Sequence, residues 1–407
     1  MGEWSLFLTI TGIFEMTKSS LLKNAHIKYV SSSQDKEEHI FVASSSFLIN
    51  AAITFLFILL ILFFSGWLGR WFNAGQELGM MLKWFIPGMI FMVFFAHMEA
   101  VLQSFMDFKG GFAGYLVRQV CFFGVILGYK LSGHTLTLSR LSMYQSITIG
   151  LGTGVLFFYT RKYLHFQFRP AKEYVKKILG YGGYIFGSSM VANVSSNLDQ
   201  LMTGKFINAS SIAYYNVASR INLLVDIPSY AASEIIFPKA SRASAEEGKE
   251  KVRYLFERMV AVLLAFTIPT AIVILIFPGV IMTVIAGPAY RLAAPILQLY
   301  MITGIFRPAQ NQAANLLNSI GRPRLVFIAN TFYLMLFLGI NYICLWKIGF
   351  YGAAVGTVIT SFIGFIAWYF IMRREIGIQP GRIGFYILDT YRIVIRRVSG
   401  VLKRSAV

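Results

Sequence analysis

The thirty residues from Ile40 to Gly69 read IFVASSSFLINAAITFLFILLILFFSGWLG and contain no Lys, Arg, Asp or Glu. About 20 mostly apolar residues in a helix cross a bilayer core about 30 Å thick. Five further stretches lack all four charged types: 141–160, 178–198, 259–290, 325–346 and 348–372. Working outward from them, the apolar pattern predicts eleven helices, at 4–29, 40–66, 80–105, 111–130, 138–160, 175–204, 210–237, 255–282, 291–318, 324–346 and 349–372. The connections carry Gly, Pro, Asn or charge, as at Asn73-Ala74-Gly75 and Gly321-Arg322-Pro323. The fold class is therefore an all-α polytopic membrane protein.

Composition agrees. Of 407 residues, 56% are hydrophobic and 14% charged, against about 25% charged in soluble domains. This excludes a disordered chain, a basic nucleic-acid-binding domain and an ordinary cytosolic enzyme. Yet 37 Lys and Arg stand against 18 Asp and Glu, a net charge of +19. Alternate connections explain most of the excess. Segments 31–39, 106–110, 161–177, 238–254, 319–324 and 373–407 hold 23 of the basic residues, and the opposite set holds 3. Basic loops stay cytoplasmic, which predicts a cytoplasmic C-terminus. Eleven spans then leave the N-terminus outside without an export signal, so a further helix is expected upstream.

The chain reads as two pseudo-symmetric lobes, five helices in 1–160 and six in 178–373. Between them lies a basic cytoplasmic linker, 161–177, and after them a basic amphipathic tail, 374–407. Weak internal similarity supports the halves: Val101–Lys109 parallels Asn315–Pro323, and Ile27–Ser33 parallels Ile236–Arg242. Duplicated membrane proteins commonly place the substrate site between the repeats. In the tail, Phe385, Leu388, Ile393 and Ile395 alternate with Arg392, Arg396 and Arg397. That pattern suits a helix on anionic membrane lipid.

Two spans are polar. The first carries Glu15, Lys18, Lys23, Asn24 and His26; the seventh carries Asn216, Arg220, Asn222, Asp226, Ser229, Ser233 and Glu234. A lone charge at the bilayer centre costs about 2.5–3.5 kcal/mol on insertion scales. These helices are expected to face water or each other across a shared polar cavity. Glu15 and Lys18, three apart, form a predicted intrahelical pair. Asp199 is the expected partner of Arg220. Arg118 and Arg307 are expected to be neutralised by a carboxylate such as Glu99 or Asp107, or by carbonyls. Pro308 follows Arg307 and marks a helix able to bend. Fixed cations in a cavity suit a phosphate-bearing substrate. Arg220, Lys18, Lys23, Arg118 and Arg307 are the candidate contacts, and Asp199, Glu15 and Asp226 the candidate gating or coupling groups. Cys121, Cys344 and the five histidines have no metal-ligand or disulfide spacing, and nothing calls for a cofactor.

Several short motifs then occur in order: Gly2-Glu3-Trp4-Ser5-Leu6-Phe7-Leu8; Leu198-Asp199-Gln200; Ala213 to Ile221 with its Tyr214-Tyr215-Asn216; Phe237-Pro238-Lys239-Ala240-Ser241; Gly287-Pro288-Ala289-Tyr290; Gly321-Arg322-Pro323; and Gly349 to Thr357. Together they resemble the Wzx-type oligosaccharide flippases of the multidrug/oligosaccharidyl-lipid/polysaccharide exporter superfamily. The resemblance implies two six-helix lobes around a central cavity, with the first helix of the family absent here. It implies a flippase of the bacterial inner membrane, not an enzyme. Its substrate would be a polyprenyl-pyrophosphate-linked oligosaccharide moved by alternating access, with H⁺ or Na⁺ as a conceivable coupling ion. A cation-coupled multidrug exporter of the same superfamily is the alternative, which the arginines disfavour. A glycosyltransferase or polymerase is disfavoured by short outer loops and the lack of any Asp-x-Asp. An inactive truncated product is a further reading.

Overall fold

The computed structural model describes residues 2–71, 77–133, 136–163, 167–206 and 209–404. All its described regular elements are helical, and all eleven expected stretches fall on helix. The first is α1 (Gly2–Lys18), a π-turn (Ser19–Lys23) and α2 (Asn24–Ser31). There follow α3 (Lys36–Trp71), α4 (Glu77–Trp84), α5 (Ile86–Ser104), α6 (Phe108–Leu131), α7 (Leu138–Thr160) and α8 (Lys172–Phe206). Then come α9 (Ala209–Glu246), α10 (Lys249–Ile276), α11 (Pro278–Ala286), α12 (Ala294–Ser319), α13 (Pro323–Ile348), α14 (Gly352–Ile376) and the tail helix α15 (Pro380–Arg404). Two expected single helices are divided. New helices start after Phe85 and Phe277 with Pro87 and Pro278 in their first turns, where the N–H that proline lacks has no intrahelical partner to lose. Seven described helical stretches are long and apolar enough to cross a membrane; the more polar α8 and α9 are not among them.

The chain divides into two compact units, Met1–Phe186 and Gly187–Val407. The division falls inside α8, and the described residues of segment 161–177 belong to the first unit. There the Ser44 hydroxyl accepts from the Arg169 amide (3.0 Å), and the Ser45 hydroxyl accepts from the Ala171 amide (3.1 Å). Asp107, outside the helices, pairs with Lys162 at 2.8 Å. The Lys162 ammonium holds the Asp107 carboxyl below its ordinary range, helped by the Tyr163 hydroxyl.

In the first unit, Phe7, Phe14, Met81, Leu82, Met89, Phe95, Ile149 and Leu156 form a buried core. Phe55 and Phe63 on α3, and Phe112 and Phe123 on α6, are exposed instead. Apolar exposure on that scale belongs to a lipid-facing surface. The first turns of α8 press on the π-turn, where a Cβ at Gly182 would collide with the Leu21 carbonyl. Gly182→Ala is expected to lower the unfolding temperature of the purified protein by roughly 5 °C or more. Gly180→Ala and Gly183→Ala, whose Cβ atoms meet open space, should not lower it.

In the second unit one core gathers around Tyr215, Ile296, Leu297, Tyr300, Ala353 and Ala354, another around Ile236, Phe256, Leu316, Trp368 and Met372. Two of the short motifs meet here. Tyr215 donates to the Phe350 carbonyl (2.7 Å) and accepts from the Ala354 amide (3.3 Å). A Cβ at Gly352 would collide with the Cys344 carbonyl, so this motif is a packing joint between α9, α13 and α14. α15 lies against α10: Arg258 pairs with Asp389 at 2.5 Å, and the Tyr391 hydroxyl donates to the Ala265 carbonyl at 2.8 Å. Its other side exposes Phe385, Leu388 and Ile395 beside Arg392 and Arg396, one face by their spacing.

Candidate functional site

The first unit encloses a cavity of about 240 Å³ whose wall includes Glu15, Lys18, Lys23, Glu99 and Tyr115. The π-turn explains why both lysines reach it. Five residues of α-helix turn about 500°, which would leave Lys18 and Lys23 about 140° apart. A π-turn closes i to i+5, so the two side chains fall on one wall. Such turns occur frequently at functional sites.

Lys18 is buried. Its ammonium is 3.0 Å from Glu15 Oε1 and donates to Thr54 Oγ1 at 3.3 Å, above the Phe14 ring at 4.7 Å. The local pair expected from the i,i+3 spacing is therefore present. Lys23 pairs with Glu99 at 3.1 Å, each about one-fifth exposed, and the Tyr115 hydroxyl donates to the other Glu99 oxygen at 3.1 Å. Two cations and two carboxylates thus line one space, with Met16, Leu22, Met92 and Phe95 between them. At low local dielectric each charge is held by its partner. An incoming anion could exchange for a carboxylate at the ammonium.

Arg118 lies nearby but is held otherwise. Its Nη1 is 3.5 Å from Met92 Sδ, and the guanidinium is 5.9 Å from the Phe95 ring. Neither Glu99 nor Asp107 forms a direct ion pair with Arg118 or Arg307 among the described contacts, and the carboxylate that meets Arg307 is Asp226. Glu99 pairs with Lys23 and Asp107 with Lys162.

In the second unit, Arg307 Nη1 is 2.6 Å from Asp226 Oδ2, and Nη2 donates to Thr303 Oγ1 at 3.4 Å. With its amide oxygen turned toward the guanidinium, Asn222 accepts from Nη2 at 2.9 Å. One helical step further, Gln312 donates to the Ser229 carbonyl (2.9 Å) and the Ser233 hydroxyl (3.0 Å), and Asn315 donates to Ser233 at 2.6 Å. Asp226, Ser229 and Ser233, at i, i+3 and i+7, therefore direct the polar face of α9 onto α12. Much of the polarity read in the seventh span serves this contact. Arg220 is exposed on α9, and its Nε donates to Asn216 Oδ1 at 2.8 Å. The side chain of its expected partner, Asp199, lies outside the described residues.

The structure brings together Glu15, Lys18 and Lys23 in one unit and Asp226 with Arg307 in the other. It adds Glu99 and Tyr115, which the sequence reading did not count as site residues. The available signal was that Glu99 is the only acid in the apolar stretch 80–105.

The fold defines an all-helical, multi-pass membrane protein. Over 96% of this chain and 89% of the other, it superposes on a crystal structure of MATE in the bent conformation, at TM-score 0.81 and 16% identity. An outward-facing multidrug resistance MATE family transporter of the MOP superfamily gives TM-score 0.79 at 15% identity, over 92% and 87% of the two chains. At such identities the likeness is one of fold. Residues 2–295 match the family described as polysaccharide biosynthesis protein, and the chain belongs to that family. TuaB, a teichuronic acid biosynthesis protein of Bacillus subtilis, is 25% identical over 271 residues, which cover 66% of this chain and 50% of that one. A probable low-salt glycan biosynthesis flippase of Haloferax volcanii is 23% identical over 219 residues, 53% and 46% of the two chains. The lipopolysaccharide biosynthesis protein WzxC of Escherichia coli is 22% identical over 199 residues, 49% and 40%. The chain spans about half the length of these curated relatives, or less.

Proposed function

We propose that the protein is an inner-membrane flippase. It moves a polyprenyl-pyrophosphate-linked oligosaccharide from the cytoplasmic to the outer leaflet by alternating access, as a step in surface polysaccharide or lipopolysaccharide synthesis. The observation that carries this reading is the pair of Lys–Glu contacts lining one cavity in a unit with a lipid-facing exterior. A diphosphate entering there meets two ammonium groups, and each carboxylate it displaces becomes a base able to take up a coupling H⁺ or hold Na⁺. The polyprenyl chain stays in the bilayer. Family membership and the relatives named for glycan biosynthesis support the substrate class. In this reading the protein is a transporter and not an enzyme. Within the first unit Arg118 contributes a further anion contact; in the second, Arg220 and Arg307 are candidate anion contacts, with Asp199 and Asp226 as gating partners.

The excess of basic residues in alternate loops supports a cytoplasmic C-terminus. On that side the exposed apolar and basic face of α15 would rest on anionic lipid, where each basic residue is worth about 1 kcal/mol.

A second reading, a cation-coupled multidrug exporter, draws on the MATE-like fold and on Glu15 and Glu99 as candidate partners for an organic cation. Deleting the gene and restoring it separates the two. Loss of surface polysaccharide in the deletion strain, recovered by the wild-type gene but not by Arg220→Ala at equal membrane level, is expected. Unchanged polysaccharide with increased drug sensitivity would favour the exporter.

A further inference from the structure

The tail helix is fastened to the second unit more tightly than a surface anchor requires. α14 ends at Gly377, whose φ of 70° and amide bond to the Arg373 carbonyl (3.0 Å) close the helix in a left-handed turn. Only Ile378 and Gln379 separate that turn from Pro380, which opens α15. From there α15 grips α10 over about two turns. The Glu257 carboxylate, fully buried on α10, accepts from the Gln379 amide at 2.8 Å. Arg258 pairs with Asp389 and stands 5.5 Å from the Tyr386 ring, which meets the Tyr254 ring edge to face at 5.9 Å. Tyr391 reaches the Ala265 carbonyl. Phe256 and Val260 point the other way by their spacing on α10, into the core that holds Leu316, Trp368 and Met372. α10 thus lies between α15 and the core of its unit.

The outward side of α15 has a definite chemistry. Phe385, Leu388 and Ile395 are 60%, 59% and 66% exposed, and Arg382, Arg392 and Arg396 are exposed with them. Residues 380–404 hold six basic residues and one acidic, Asp389. That acid is already engaged by Arg258. The outward side therefore offers apolar and cationic groups with no anion of its own. It fits the boundary of a bilayer with anionic headgroups, where apolar side chains enter the acyl edge and guanidinium groups meet phosphates. The charge of the loops places this end of α10 on the cytoplasmic side, and the cytoplasmic leaflet carries the negative surface potential.

We infer that α15 is a strap that senses lipid charge and passes it to the second unit. The anionic leaflet holds its outward face. The Arg258–Asp389 pair and the Glu257–Gln379 bond carry that hold to the cytoplasmic end of α10. The two contacts use different sides of one helix, so they are made together. Lipid charge steadies α15, and α15 steadies α10. On a neutral bilayer the basic face loses its counter-charges, and both helices loosen. The charge of the leaflet is in this way an input to the unit and not only an anchor for the tail. Export that rises with anionic lipid is the consequence for transport, and that consequence alone rests on the flippase reading.

The test measures hydrogen–deuterium exchange of the full-length protein in vesicles of phosphatidylcholine, with and without about one-third phosphatidylglycerol. Anionic vesicles are expected to slow amide exchange about tenfold in 380–396 and in 250–262. Arg392→Gln with Arg396→Gln should lose the slowing in both segments. Asp389→Asn should keep it in 380–396 and lose most of it in 250–262, because the strap then holds lipid without its ion pair to α10. Should Asp389→Asn disorder α15, Arg258→Gln breaks the same pair and leaves the tail sequence intact. Equal exchange of the wild-type protein in the two vesicles would overturn the strap. So would slowing in 250–262 that survives both pair-breaking variants. Inorganic phosphate over neutral vesicles should slow neither segment; slowing by it would replace the lipid surface with a site for free anions. Vesicles that show the lipid-dependent exchange but move no glycan would remove the flippase reading and leave the strap standing.

Discussion

Asp226→Asn is expected to destabilise the protein more than any other single change at the candidate sites. Asp226 is buried on α9, with a carboxylate oxygen 2.6 Å from Arg307 Nη1. The guanidinium also donates to Thr303 and, with the amide oxygen of Asn222 turned toward it, to Asn222, so it is tethered although 28% of the side chain is exposed. Removing one partner of a buried pair leaves the other charge uncompensated, at about 3–5 kcal/mol. A unit of this size loses roughly 2–4 °C of unfolding temperature per kcal/mol, so a drop of roughly 10 °C is expected in the purified protein. Replacing both partners, as Asp226→Asn with Arg307→Met, should recover most of it, because the unpaired charge is then gone. If the double variant is as unstable as the single one, the pair is not what Asp226 holds together.

The second large effect concerns transport and not folding. Lys23 and Glu99 are each about one-fifth exposed to the cavity, so breaking their pair is milder for stability. Lys23→Ala removes one of the two ammonium groups on the proposed diphosphate site. Glycan export is expected to fall by about tenfold or more, the equivalent of about 1.4 kcal/mol of lost interaction, with little change in membrane level. Exchanging the two residues, as Lys23→Glu with Glu99→Lys, keeps the pair but moves the cation to α5. Export should remain low if the cation must stand on the π-turn. Recovery in the exchanged protein would assign the pair a structural role only.

These two pairs also show where the sequence stops being informative. Glu15–Lys18 was readable because three residues on one helix are neighbours whatever the tertiary structure. Lys23–Glu99 and Asp226–Arg307 join different helices, 76 and 81 positions apart. Which acid meets which base depends on how the helices are rotated, and the apolar pattern fixes that rotation only loosely. For this reason the sequence could say that Arg307 needs a neutralising partner but not that the partner is Asp226. The π-turn is a second case. Ser19-Ser20-Leu21-Leu22-Lys23 has no composition that distinguishes it from ordinary helix, yet it sets Lys23 on the same wall as Lys18. The spans themselves were legible, since the bilayer imposes their length and apolarity directly. The breaks at Phe85 and Phe277 were legible in principle from Pro87 and Pro278.

The most direct test of the flippase reading is transbilayer movement in vesicles reconstituted with the purified protein. A polyprenyl-diphosphate glycan is placed in both leaflets, and a membrane-impermeant glycosidase is added outside. With the wild-type protein the enzyme should digest nearly all of the glycan, because the inner pool is brought out. With Lys23→Ala, or with empty vesicles, digestion should stop near one half. Digestion that stops at one half with the wild-type protein, in vesicles that do move an organic cation, would contradict the account.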